Sequence, residues 1–457
     1  MKKTLLLLVC SLLALGQALS NNSTNVTIVA GGTNIGVNVN VVGATVTYTP
    51  TTLGAQIGAD DIVANLNNGN NVVIITTTAT DNGQQGDILV ASAIVKTMGA
   101  NANITMTAAG AILVNANITN IGAGGITLKA NLAGTTTGNF IGIFINNVMV
   151  STGSGAVIVN GTGGAAEGGS NHGVSISTNN AKITSGGGNV SVTGQGGGSG
   201  SSIFNVGVFI ESGAEITAGG MGTVTVNGTG GAGGGNNNYG VFVLGSNSKI
   251  TSVGGAIFVI GQGGNGAADI LLSDGTISST AATAGILLDS KTNGTFPNTA
   301  GTDVGTDATQ TTAFAAGSKL NILINGLTPN TATGYQQLGV VGMINLTDVE
   351  LTFNGSTHMP SAGNTFIIVD NDGNDPVIGT FQGLPEGAAI PNFLGSSLEV
   401  RITYFGGGGN DVVLFVCPML EVEFERTTTI CSTKKLALAD LQAIVTYEGE
   451  ASELQYT

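Results

Sequence analysis

"GVFIESGAEITAGGMGTVTVNGTGG", Gly207 to Gly231, is followed by a near copy, "GVFVLGSNSKITSVGGAIFVIGQGG", Gly240 to Gly264. The same opening recurs upstream as "GIFI" at Gly142 and "GVSI" at Gly173, so the four copies start 31, 34 and 33 residues apart. A fixed period in this range marks a solenoid, in which each copy is one structural unit stacked on the next. Each copy holds three short apolar runs, in the third copy Val208 to Ile210, Ile216 with Thr217, and Val224 to Val226. Turn residues such as "SGA" and "AGG" separate the runs, and a longer tract such as "GTGGAGGGNNNY" ends the unit. Three brief strands joined by corners make one triangular turn of a parallel β-helix, each strand pairing with its equivalent one unit later.

A tighter form of the pattern precedes these copies. Ile88, Ile94 and Ile104 are followed by Ile112, Ile118 and Ile126, a step of 24. The longer units therefore read as the short coil with 7 to 10 residues added at one corner. Loops inserted at one corner stack into a ridge, and "NGTGG" at Asn160 and Gly161, "GQGG" at Gly194, "NGTGG" at Asn227 and Gly228, and "GQGG" at Gly261 mark where each loop leaves the wall. His172 and Tyr239 stand at the far ends of two of these loops, and with the preceding residues they form the candidate binding ridge. Gly and Asn suit sharp corners because they tolerate positive φ, and Ile and Val suit stacked strands. Lys182, Glu215 and Lys249 each precede the Ile-Thr of a second strand, which predicts an alternating charge ladder about 4.8 Å per step.

Composition bounds the setting. Residues 1–20, "MKKTLLLLVCSLLALGQALS", place two lysines before an apolar run too short to span a bilayer, the pattern of a secretory signal peptide. No later segment offers the apolar length of a membrane helix, so no transmembrane segment is expected in the mature chain. The chain has 457 residues, 75 of them Gly, no Trp, a net charge of −15 and a mean hydropathy of +0.34, which is β material interrupted by turns and not disorder. Basic residues are scattered, which argues against nucleic acid as a partner.

Residues 21–87 read as an N-terminal cap and first coils, with an amphipathic helix from Asp60 to Asn67 whose paired acids act as a capping feature. The β-helix proper runs over 88–334, residues 335–416 form its last coils and a β cap, and 417–457 form a short, more charged β module. Cys417 and Cys431 are placed to pair in an oxidising compartment.

Two regions carry a family resemblance. "DDIVANLNNGNNVVIITT" leading into "GDILV" resembles the early part of filamentous haemagglutinin-like bacterial exoproteins. "GYQQLGVVGMINLT", "PSAGNTFIIVDNDG", "GTFQGLPEGA" and "ITYFGGGGNDVVL" are similar to the closing region of autotransporter-like β-helix adhesins. The resemblance implies a right-handed parallel β-helix, secreted or held on the outer surface of a bacterial cell. It further implies attachment to an extracellular glycan, a host or neighbouring cell surface, or a matrix component. The family's C-terminal membrane barrel is not read here, so the export route stays open.

Chemistry is sparse in this reading. A polysaccharide-active β-helix enzyme, lyase or hydrolase, is the alternative, yet its paired carboxylates and sugar-holding arginines are not evident. Asp269, Asp274 and Asp289 fall near corners and are expected to be solvated, and His172 and His358 are assigned to surface loops. "DNDGND" at Asp370 and "GGGGNDVVL" at Gly406 resemble calcium-binding loops in fragments, so structural Ca²⁺ is the one cofactor considered. Regular outward Thr-x-Thr rows, which an ice-binding face needs, are not expected.

Overall fold

The computed structural model describes residues 25–77, 85–98, 101–280, 285–290, 303–331, 333–354 and 358–417, with the backbone of three strands beyond them. The coil predicted from the repeat is present. Three sheets, nine-, seven- and 13-stranded and parallel except for the antiparallel pair at the N-terminal end of the third, form the walls of a β-solenoid. In the third copy Val208–Glu211 lies in the first wall, Glu215–Ala218 in the second and Val224–Thr229 in the third, each paired in register with its equivalents in the adjoining coils. At about 4.8 Å per strand, the 13-stranded wall is roughly 60 Å long.

Inward positions make one continuous core. Val174, Val208 and Val241 stack down the first wall, Ile183, Ile216 and Ile250 down the second, and Val192, Val226 and Val259 down the third, all 0% exposed. Each such side chain contributes roughly 1.5–3 kcal/mol when fully buried. The predicted charge ladder stands on the second wall, where Lys182 Nζ lies 2.9 Å and Lys249 Nζ 3.8 Å from the Glu215 carboxylate. Corners between the first two walls carry left-handed residues, Asn147 at φ 60° and Asn247 at 74°, as the Asn-rich turns require.

The helix Ala59–Asn67 packs Ala59, Ile62 and Leu66 against the first coils. Its acids differ from expectation: Gly58 occupies the N-cap without a side-chain cap bond. Asp61 instead accepts hydrogen bonds from Tyr48 Oη at 2.7 Å and Asn34 Nδ2 at 2.9 Å, tying the helix to the wall. At the other end Thr365–Asn371, Asp411–Val416, Val400–Gly406 and Ala389–Ile390 turn antiparallel and close the core with Phe366, Phe393, Ile402 and Leu414. This is the predicted β cap. The signal peptide, Cys431 and so the Cys417–Cys431 pairing lie outside the described residues, while Cys417 is half-buried.

Candidate functional site

The ridge loops run from the end of each third-wall strand to the start of the next first-wall strand, and glycine sets both stems. A Cβ on Gly161, Gly194, Gly228 or Gly261 would run into the carbonyl of Gly173, Gly207, Gly240 or Asp269 respectively. Gly173, Gly207 and Gly240 in turn press on the backbone of Gln195, Thr229 and Gln262. Each loop thus leaves and returns through a neck in which two backbones touch. These glycines are the buried root of the ridge and not its crest.

Beyond the neck the loop folds back over the outer face of the first wall. Phe209, Phe242 and Leu271 point outward from that wall and are buried under Phe204, Val206 and Ala268 of the loops. The rings of Phe209 and Phe242 stack at 5.1 Å, and Tyr239 meets Phe242 edge-on at 5.0 Å. A second, smaller hydrophobic core therefore lies outside the solenoid. The signal for it was in the sequence: "VFI", "VFV" and "ILL" are unbroken apolar runs, as in strands covered on both faces, whereas "TVTVN" alternates.

His172 belongs to that second core, contrary to its expected place in a surface loop. It is 2% exposed and packs between Phe204 and Phe209, with ring centroids at 5.3 and 5.2 Å. Its Nδ1 accepts the amide of Val206 at 3.1 Å, which puts the proton of the neutral ring on Nε2. Burial pushes its pKa down to about 3, so it stays neutral. His358 is half-buried, edge-on to Phe366.

One column of the ridge escaped the sequence reading. Asn171, Asn205 and Asn238 are each 0% exposed. Asn171 Oδ1 accepts the amide of Phe140 at 2.9 Å, Asn205 Oδ1 that of Asn171 at 3.0 Å, and Asn238 Oδ1 that of Asn205 at 2.8 Å. Their Nδ2 groups donate to loop oxygens, Asn238 to Gly233 and Gly235. The ladder supplies partners that irregular backbone needs once it is buried. Its signal was Asn two residues before the repeated Gly-Val in three successive copies.

Asn160 and Asn227 sit on the open outer face of the third wall, together with the neck of the ridge. On this face the strands alternate up to the neck, and among the described residues no loop covers it in the way the ridge covers the first wall. One outward column runs Thr105, Thr127, Ile158, Ser191, Thr225, Phe258 and the next Thr107, Lys129, Asn160, Thr193, Asn227, Ile260. Successive groups are spaced by about 4.8 Å along the axis and roughly 6.8 Å across it. The second wall adds a hydroxyl column unbroken over six coils: Thr119, Ser151, Thr184, Thr217, Thr251 and Ser278. Thr251 Oγ1 donates to Thr217 Oγ1 at 2.8 Å, and Ser151 Oγ to Thr119 Oγ1 at 3.2 Å. Its neighbouring outward column mixes Met149, Lys182, Glu215 and Lys249, so a Thr-x-Thr row is not built.

Of the three corner acids, one is engaged with the backbone. Asp269, expected to be solvated, is fully buried, and its Oδ1 accepts the amide of Gly263 at 2.7 Å. Asp274 turns a corner at φ 62° and Asp289 is half-buried on the third wall. The two calcium-like fragments meet in space: Asp411 Oδ1 accepts the amide of Asn371 at 2.9 Å, and Asn410 Nδ2 donates to the carbonyls of Asp372 and Asp375 at 3.1 and 3.0 Å. Among the described residues no group of three or more His, Cys, Asp or Glu is placed to hold a metal ion. No helix among them is long and apolar enough to cross a membrane. No protein-family model matches the chain, and no curated protein matches it either.

Proposed function

We propose that the chain is an exported surface stalk that attaches to an extended glycan or matrix polymer without chemically altering it. The observation that carries this reading is the open third wall, where Thr, Ser and Asn side chains recur along two outward columns, interrupted at Lys129, Ile158, Phe258 and Ile260. A repeating polymer can engage such a lattice at many weak points at once, so that affinity comes from multiplicity. The ridge stiffens the rod and keeps the first wall dry, which turns the third wall toward partners. The polysaccharide-cleaving alternative is less supported, because Asp269 and Asp303 spend carboxylate oxygens on the amides of Gly263 and Gly339.

The test substitutes outward groups whose change leaves the core alone, Thr193→Lys with Asn227→Lys, and compares attachment by cells carrying the intact gene, the variant gene or none. Attachment that falls in the variant to the level of the deletion, with the protein still exported and folded, supports a binding face on the third wall. Equal attachment in all three sinks the adhesive reading.

A further inference from the structure

The N-terminal end of the 13-stranded wall is an open edge. Val37–Val42, "VNVNVV", is its last strand and pairs antiparallel with Thr45–Pro50, leaving its other side without a strand among the described residues. Val39 stands opposite Tyr48 and Val41 opposite Val46, and both of those partners face the core at 0% and 2% exposure. Val39 and Val41 thus continue the core-facing row, yet they are 41% and 61% exposed. The core is uncovered here, and Ile35 and Leu53, at 54% and 52%, extend the apolar surface. Natural edges of this kind are usually blocked by a charge, a proline or a bulge. Residues 37–42 contain none of the first two, and their register with the neighbouring strand runs without a break.

We propose that this edge is a homophilic joint, taken by the same strand of a second copy in antiparallel pairing. Three features select a copy of the chain as occupant. First, "VNVNV" reads the same in both directions, so a two-fold axis at Val39 sets Val37 against Val41, Asn38 against Asn40 and Val39 against itself. Such a contact is self-complementary, as a closed two-fold interface must be. Valines meet on the core side, and the asparagine amides can exchange hydrogen bonds on the outer side. Second, a two-fold axis normal to the sheet keeps core-facing residues on one side in both copies, so the wall and its core continue through the joint. Third, the chain carries a net charge of −15, yet no charged residue lies between Asn21 and Ala59. The nearest acids are on the helix: Asp61 is tied to Tyr48 and Asn34, and Asp60 remains exposed. Two copies therefore meet at this end with little like-charge repulsion, and the product is a straight rod of twice the length with its two C-terminal caps outermost.

Sedimentation of the purified chain over a concentration series tests the joint, with circular dichroism confirming that variants stay folded. The unsubstituted chain is expected to reach a monomer–dimer equilibrium with a Kd on the order of ten micromolar, fitting a small interface. Val41→Lys, at a position already exposed, is expected to weaken it at least about tenfold, because the two-fold then buries an unpaired charge at two places. Under mild oxidation Val39→Cys is expected to give a cross-linked dimer above the background of the unsubstituted chain, because facing Cβ atoms lie about 4.5–5.5 Å apart. Asn38→Cys is expected to give less, since it faces Asn40. A chain that stays monomeric throughout, or a dimer untouched by Val41→Lys, overturns the proposal.

Discussion

Glu211 ends the first-wall strand Val208–Glu211 and is 8% exposed, in register with Ser177 and Leu244 of the adjoining coils. Burial pushes its pKa from 4.5 up to about 7, a rise that a hydrogen bond with Ser177 only partly offsets. The folded state therefore holds the proton more tightly than the unfolded chain. Below about pH 4.5 the group is neutral in both states and costs nothing; between 4.5 and about 7 the unfolded chain ionises first and stability is lost; above 7 the loss is complete and constant. At about 1.4 kcal/mol per tenfold change, the loss reaches roughly 3 kcal/mol at most. Glu211→Gln removes the titrating group and is expected to flatten this dependence. Because solenoid coils are stabilised mainly by their neighbours, the effect is local and is best read by hydrogen exchange in peptides covering residues 174–177, 208–211 and 241–244. After correction for intrinsic exchange, these amides in the unsubstituted chain should lose protection from pH 5 to 7. The variant should exceed them at pH 8 by up to about a hundredfold. Parallel pH profiles for the two chains would refute the reasoning.

Two further outcomes follow from the ridge. Gly194→Ala drives a methyl into the carbonyl of Gly207 and should cost about 1–3 kcal/mol, whereas Gly187→Ala, with open space around it, should be near neutral; thermal melting of the pair separates a neck effect from a general loss of glycine. Asn205→Ala strips the acceptor from the buried amide of Asn171, whereas Asn238 Oδ1 loses one donor but keeps the Asn205 amide, so the change should cost roughly 1–3 kcal/mol for the one amide left unpaired and raise exchange in the two adjoining loops first.

The period, the three walls, the inward Ile and Val columns and the Lys182–Glu215–Lys249 ladder were legible in the sequence. In a solenoid each of these is a contact between equivalent positions one unit apart, so spacing alone fixes it. The helix near Asp60 and the closing cap were legible for a similar reason, since local amphipathicity and strand alternation define them. The role of Asp61 was not, because Tyr48 and Asn34 reach it from other elements.

What only the tertiary structure decided is the path of the ridge loops. Composition marks Gly- and Asn-rich tracts as polar and solvated, and on that basis His172 and Asp269 belong at the surface. Folded back across the first wall, the same tracts meet the outward Phe209, Phe242 and Leu271, bury His172 among aromatic rings and draw Asp269 onto a backbone amide. Whether a loop extends into water or lies down on a wall depends on the apolar face beneath it and on partners for its own amides. Both come from neighbouring coils, some 30 residues away along the chain.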